Sequence, residues 1–209
     1  MGGARRPTVI KLGGSHAFSR HLRDWLGAIA RGAGHVVLVP GGGPFADTIR
    51  SAQPKMGFDE CAAHHMALLA MEQYGIALAS LNRAFIRADS VSAIRRVLRT
   101  GKVAVWSPTR AVLGAKDIPC SWDVTGDSLA AWLAGRIGAG RLLLVKHVAP
   151  RADVVRASEL AASGIVDPAF RHFLPVSGIE AFVSGPGEYA AAGLALDRGT
   201  MIGSRIDLR

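Results

Sequence analysis

The sequence predicts an α/β fold, with a mostly parallel sheet covered by helices on both faces, in a single domain of 209 residues. Strand-like and helical runs alternate along the chain with no linker or low-complexity segment between them. In addition, two strands, Thr8-Val9-Ile10-Lys11-Leu12 and His35-Val36-Val37-Leu38-Val39-Pro40, empty directly into the glycine loops Gly13-Gly14-Ser15 and Gly41-Gly42-Gly43-Pro44. Side by side in a parallel sheet, these loops would share the carboxyl edge, where open α/β sheets bind ligands.

Lys11 is the anomaly of the first strand, because an ammonium inside an apolar run is costly unless it emerges at the strand's end. Taken alone, it also fits a lysine snorkelling from an edge strand; beside bare glycine amides it makes an anion site. Phe18, Leu22, Trp25, Leu26 and Ile29 then recur at helical spacing, from a cap at Ser15 or Ser19 to the Gly32-Ala33-Gly34 stop. The second unit repeats the plan, with Pro44 in a first helical turn and Phe45, Ala46 and Ile49 on its buried side. Residues 54–57 break the chain before a helix from Asp59 to Tyr74, ended or bent at Gly75, in which His64 and His65 read as packed or interface histidines rather than catalytic ones.

Val91 to Leu98 reads as a short basic helix, and Val103 to Trp106 as a third buried strand. Residues 107–121 read as a loop long enough to cover a ligand. Trp122-Asp123-Val124-Thr125-Gly126-Asp127 feeds a helix from Ser128 to Ile137, where Asp127 fits a helix cap as well as a site carboxylate. A fourth strand, Leu142 to Val145, ends in Lys146-His147. After a short helix at Ser158 to Ser163 and a turn at Asp167 to Phe170, the chain continues with a strand at Ala181 to Val183. The Ser184-Gly185-Pro186-Gly187 exit, a helix from Glu188 to Leu196 and a last strand within Gly199 to Ile206 complete it.

The formal charge of +9, from 25 basic and 16 acidic residues, fits an anionic small substrate. Nucleic acid is not expected, since no basic run is interleaved with aromatics, and neither is a membrane, since no stretch approaches the roughly 18 apolar residues of a span. Cys61 and Cys120 are far apart and lack metal spacing, which argues against a disulfide framework or a zinc site and fits a reducing cytoplasm. The opening Met1 to Pro7 shows no export signal.

Lys11 with its glycines, the second glycine loop and Lys146 are three anion-handling elements at one plausible edge, with Asp123 and Asp127 nearby. Phosphoryl transfer needs this mixture, because its transition state spreads negative charge that lysines, amides and Mg²⁺ stabilise. Neither the P-loop pattern nor the dinucleotide Gly-x-Gly-x-x-Gly is present.

The residues also resemble a known family. Lys11-Leu12-Gly13-Gly14-Ser15, Pro40-Gly41-Gly42-Gly43, Asp123-Val124-Thr125-Gly126-Asp127, Leu142 to Val145 and Ile202-Gly203-Ser204-Arg205-Ile206 look like the amino acid kinase family, in the right order over nearly the whole chain. The resemblance implies a three-layer αβα sandwich of the carbamate kinase type. It places ATP, with Mg²⁺, over residues of about 121–209, and a small phosphoryl acceptor over about 1–120. Lys11 would stabilise the transferring group, Gly13, Gly14, Gly42 and Gly43 would donate amides, and Asp127 would organise the lysines. Ser15 and Asp123 join Gly13 and Gly14 on the phosphate and ATP side; Gly41, Gly42, Gly43, Asp47 and Arg50 form the acceptor side; no side chain is assigned to a metal.

In place of the family's second catalytic lysine stand Lys146-His147 and Asp167-Pro168-Ala169-Phe170-Arg171, making Lys146 the first candidate for the missing cation and Arg171 the second. A cytoplasmic homo-oligomer is expected. Residues 41–47 and 63–75 resemble the branch that phosphorylates an aminomethyl-furanmethyl phosphate in methanofuran biosynthesis, giving a diphosphate. A uridylate or small-carboxylate kinase, or a non-catalytic nucleotide or oxyanion binder, stays open beside it. Asp47, Asp59 and Glu72 are the candidate partners for that acceptor's amine.

Overall fold

A computed structural model of the protein describes residues 5–148, 150, 152–174 and 178–208; residues 1–4, on which the export reading partly rests, lie outside it. The central strand is β1 (Thr8–Leu12), which pairs in parallel with β2 (Val36–Pro40) on one side and β5 (Arg141–Val145) on the other. Outside β2 lie β4 (Val103–Trp106) and the edge strand β3 (Phe85–Ala88); outside β5 lie β7 (Glu180–Ser184), β8 (Ser204–Asp207) and β6 (Val154–Arg156). The described strands form one sheet in the order β3-β4-β2-β1-β5-β7-β8-β6, with β7 and β8 antiparallel and the other pairs parallel.

Strand parity divides the core into two. Ile10, Leu12, Leu143 and Val145 point toward α1 (Leu22–Ala30) and α9 (Tyr189–Arg198), where they pack with Trp25, Ile29 and Leu196. Val9, Leu142 and Leu144 point the other way and pack under Leu129 and Leu133 of α6 (Gly126–Ile137). This is the three-layer αβα sandwich expected. Each fully buried Leu or Ile contributes roughly 1.5–3 kcal/mol, so both faces are firmly held. The alanines of α6 let it lie close to the sheet, and nearly all of its residues are buried. Among the described residues, no helix is long and apolar enough to cross a membrane.

Several elements differ from expectation. β3 and β6 were not foreseen: β3 buries only Phe85 and Ala88 at its ends, and β6 is three mostly exposed residues, so neither carries strand alternation. The expected loop at 107–121 contains α5 (Thr109–Leu113). α1 begins at Leu22 with His21 as its cap, and Phe18, expected on its buried face, is 89% exposed. α2 (Gly43–Met56) runs through Pro54 and ends at Gly57, whose φ of 74° suits glycine. Its expected buried face is only partly covered, with Phe45 40% exposed. α3 (Glu60–Ser80) continues past Gly75, which lets it pass close to Pro40.

The largest correction concerns the cysteines, which the structure joins as a Cys61–Cys120 disulfide. A sequence separation of 59 says nothing about separation in space: α3 begins at Glu60, and the chain leaving α5 returns to it, placing the two Cα atoms 4.8 Å apart. The bond closes a long loop, and in the chain-entropy picture such a closure stabilises by roughly 2–4 kcal/mol. Guanidinium unfolding with and without dithiothreitol should show that loss on reduction. Cys61→Ser should reproduce it and abolish the response to reductant, whereas two free thiols in the oxidised, purified protein would remove the bond.

Candidate active site

The site is built where β1, β2 and β5 end. Gly41 donates its N–H to the Leu12 carbonyl (2.9 Å), and Gly13 donates to that of Val145 (3.2 Å), so both glycine loops leave the same edge. The loops touch: a Cβ on Gly14 would overlap the Gly43 backbone, and Gly43 has a φ of 56°. Gly43 is also the first residue of α2, so the amide-rich, positive end of a 14-residue helix opens onto the loops.

Parity then aims the lysines. Lys11 lies two residues after Val9 and Lys146 two after Leu144, so both face α6. There Lys11 Nζ lies 2.9 Å from Asp127 Oδ1, and Lys146 Nζ donates to Asp127 Oδ2 at 2.7 Å. Lys11 and Asp127 are buried, and Lys146 is 15% exposed at its side chain. Asp127 is not a cap: Thr125 holds the cap position, and Asp127 sits in the first turn with both oxygens facing ammonium groups. Burial alone would raise its pKa, but Lys11 and Lys146 overcome this and hold it at about 2. Burial first and Lys11 second lower Lys146 to about 8, against the pull of Asp127. Behind the loop, buried His16 is lowered to about 4 by desolvation and by Lys11, and is neutral at pH 7.

A cavity of ≈ 250 Å³ opens in front of Lys11. Gly14, Ser15 and Gly41 to Gly43 line its floor; Asp47 and Arg50 of α2 lie on one side, and His64, Leu68 and Met71 of α3 on another. Trp122 lines it as well, donating Nε1–H to Gln53 Oε1 (2.6 Å) with the Arg50 guanidinium 4.4 Å from its ring centre. The Cys61–Cys120 bond ties this wall to the start of α3. A second cavity, of ≈ 280 Å³, lies over the C-terminal half between Asp153, Val183, Glu188, Gly203 and Ser204. Glu188 accepts from the Ser184 hydroxyl and the Gly185 amide, shaping the β7 exit loop beside it.

The structure therefore brings Lys11, Asp127 and Lys146 together, with Gly14, Ser15, Gly41, Gly42, Gly43, Asp47 and Arg50 around the first cavity; Gly13 sits behind the floor, buried against Val145. It does not bring in Asp123, which is exposed and off the cavity, or Arg171, which is exposed on α8 (Phe170–Phe173). Of the two candidate cations, Lys146 is the one on Asp127. Among the described residues no cluster of His, Cys, Asp or Glu could hold a metal ion. The sequence does not mark Trp122 as a wall or Asp167 as a partner of the α6 N-terminus: Trp122 opens the run Trp122 to Asp127 that feeds α6, but Asp167 has no local signal.

Residues 6–150 match the amino acid kinase family. The [5-(aminomethyl)furan-3-yl]methyl phosphate kinase of Methanocaldococcus jannaschii is 27% identical over 151 residues, which make up 70% of this chain and 65% of that protein, so the chain spans about two thirds of that relative's length. In fold, the chain is similar to the uridylate kinase of Archaeoglobus fulgidus, with a TM-score of 0.73 and 21% identity over 96% of this chain and 100% of that one. It is also similar to the UMP kinase of Bacillus anthracis, with a TM-score of 0.71 and 15% identity over 97% and 96%.

The Asp127 pairing has a pH signature. Because its folded pKa lies below the usual value of 3.8, at about 2, the stability it contributes is fully present above about pH 4 and is lost as pH falls toward 2. This amounts to roughly 2 kcal/mol. Lys146 has the same sign in a different window: with its folded pKa lowered from 10.5 to about 8, the charged group costs stability at neutral pH, and the protein gains stability from it as pH rises from about 8 toward 10.5. Urea midpoints measured from pH 6 to 2 should show the acid loss, and Asp127→Asn should flatten it; an unchanged slope would mean that the carboxylate is not held by the lysines.

Proposed function

The chain belongs to the amino acid kinase family, and from that premise we propose that it transfers the γ-phosphoryl group of ATP to a small phosphate monoester, giving a diphosphate and ADP. The observation that carries this is the pair of buried ammonium groups held on one carboxylate beside two glycine loops. When MgATP is bound, it supplies the phosphoryl group and the charge neutralisation of its own phosphates. Lys11 and Lys146 meet the charge that grows on the equatorial oxygens, while the loop amides and the α2 N-terminus hold the acceptor's phosphate. An acceptor oxygen forms the new bond to phosphorus as the bond to the ADP oxygen breaks. Asp127, with a pKa of about 2, is a poor base. That suits an acceptor whose attacking oxygen is already charged, as a phosphate monoester is above its second pKa of about 6.

The cavity in front of Lys11 supports this acceptor class, on the reading that the nucleotide sits over the C-terminal half. Of the three acids that could meet an amine, Asp59 caps α3 through the Ala62 N–H (2.7 Å), and Glu72 accepts from the Thr109 N–H (3.0 Å) off the cavity. Asp47 lines it. An amine near Asp47, a small ring against Trp122 and a phosphate on the glycine amides together describe an aminomethyl-furanmethyl phosphate, the acceptor in the name of the Methanocaldococcus relative.

Lys11→Met should lower turnover by roughly two to four powers of ten, because a preorganised charge in the transition state is worth about 3–5 kcal/mol. Since Lys11 is a buried partner of Asp127, circular dichroism of the variant must accompany the kinetics. For the acceptor, acetylglutamate, aspartate, carbamate, uridylate and the furan alcohol and its phosphate can be tried in turn, with phosphorus NMR reading a new diphosphate doublet. The furan phosphate should have the highest kcat/KM, and Asp47→Asn should raise its KM roughly tenfold while sparing that for MgATP. Faster turnover of uridylate or a carboxylate would overturn the acceptor, and MgATP binding with no turnover of any acceptor would favour a non-catalytic nucleotide binder.

A further inference from the structure

Asp167 lies between α7 (Ala157–Ala162) and α8, beyond the residues matched to the family, and is 8% exposed. Its Oδ2 accepts from the Thr125 N–H (3.0 Å), the Thr125 hydroxyl (2.7 Å) and the Ser128 N–H (3.0 Å), and its Oδ1 accepts from the Ser128 hydroxyl. These donors flank Gly126-Asp127. The cap residue Thr125 makes no side-chain bond to its own helix, so the α6 N-terminus is capped by a carboxylate about 40 residues away. The Asp167 amide in turn donates to Asp127 Oδ2 (3.3 Å), the oxygen that takes Lys146.

A cap alone would not need a carboxylate buried next to another carboxylate. Burial first and the charge of Asp127 second raise the Asp167 pKa, against the hydrogen bonds from the Ser128 hydroxyl and amide and the Thr125 hydroxyl, which favour its charged form. The groups facing Lys146 are Lys11 from β1, Asp127 from α6, Asp167, and the neutral His16. With Asp127 alone, two buried ammonium groups would share one negative charge; with Asp167 the count is balanced.

We propose that Asp167 is a positioning residue of this site: it fixes the turn that carries Asp127 and supplies the second buried negative charge against which Lys11 and Lys146 are held. Its effect on turnover rests on the phosphoryl-transfer reading above; its effect on Lys146 does not.

Asp167→Asn is nearly isosteric and keeps an acceptor for Thr125 and Ser128, so it withdraws mainly charge. In the ligand-free protein, NMR of isotopically labelled lysine, with Lys146→Met to assign the signal, should show Lys146 titrating about one unit lower in Asp167→Asn. The alkaline limb of kcat with MgATP should move in the same direction. Ser128→Ala removes a donor without removing the charge; it should lower the melting temperature and leave the Lys146 titration in place. Asp167→Glu keeps the charge but displaces it, and should lower kcat at least tenfold with little change in KM for MgATP, which gives a reading even if Asp167→Asn does not fold.

An unmoved Lys146 titration in folded Asp167→Asn, or wild-type kcat in Asp167→Glu, would reduce Asp167 to a helix cap. A moved titration in a protein that turns over no acceptor would uphold the inference and sink the functional reading instead.

Discussion

Two ammonium groups cannot be taken out of water side by side without a counter-charge between them, and the carboxyl edge of this sheet is arranged around that requirement. At separations of 2.9 and 2.7 Å, each attraction to Asp127 is on the order of 6 kcal/mol at an effective dielectric of about 20, and the two together outweigh one repulsion. The geometry that allows this is narrow. β1 and β5 must be neighbours, both lysines must fall on the same parity, and α6 must begin directly over them. Gly126 belongs to the same constraint, because a Cβ there would stand 3.2 Å from Lys11 Cε. The desolvation cost that remains shows in Lys146, whose proton is held less tightly than in water.

What could be read in the sequence was what period and composition encode. Lys11 stood out because charge inside an apolar run is rare, and the two glycine loops because they repeat after strands of the same kind. The alternation of strand and helix gave the sandwich. Long-range facts were out of reach: the Cys61–Cys120 pairing and the reach of Asp167 to Thr125 and Ser128 depend on how distant segments return to one place. β3 and β6 were missed for a different reason, since short edge strands bury too little to impose alternation. Phe18 shows the limit of helical spacing as a signal: it has the right interval from Leu22 but lies before the helix starts.

The net charge was the least informative feature. Part of the arginine excess is used at the opposite edge of the sheet, where Arg6 donates to the Gly138 and Ala139 carbonyls after α6 and Arg5 donates to that of Leu196 in α9. These contacts place guanidinium groups on carbonyls at or just past helix C-termini, where the helix dipole favours positive charge. The site itself draws on few cations, and their power comes from burial rather than number.

The position of Trp122 has an optical consequence. Of the four tryptophans, Trp25 and Trp106 are sealed in the core and Trp132 is nearly so, packed 6.2 Å from Trp106. Trp122 alone borders the cavity in front of Lys11, with a guanidinium over its face. A molecule entering that cavity changes the surroundings of one indole and leaves the other three as they were. The protein thus carries its own fluorescent reporter of occupancy in that cavity, one that needs no label.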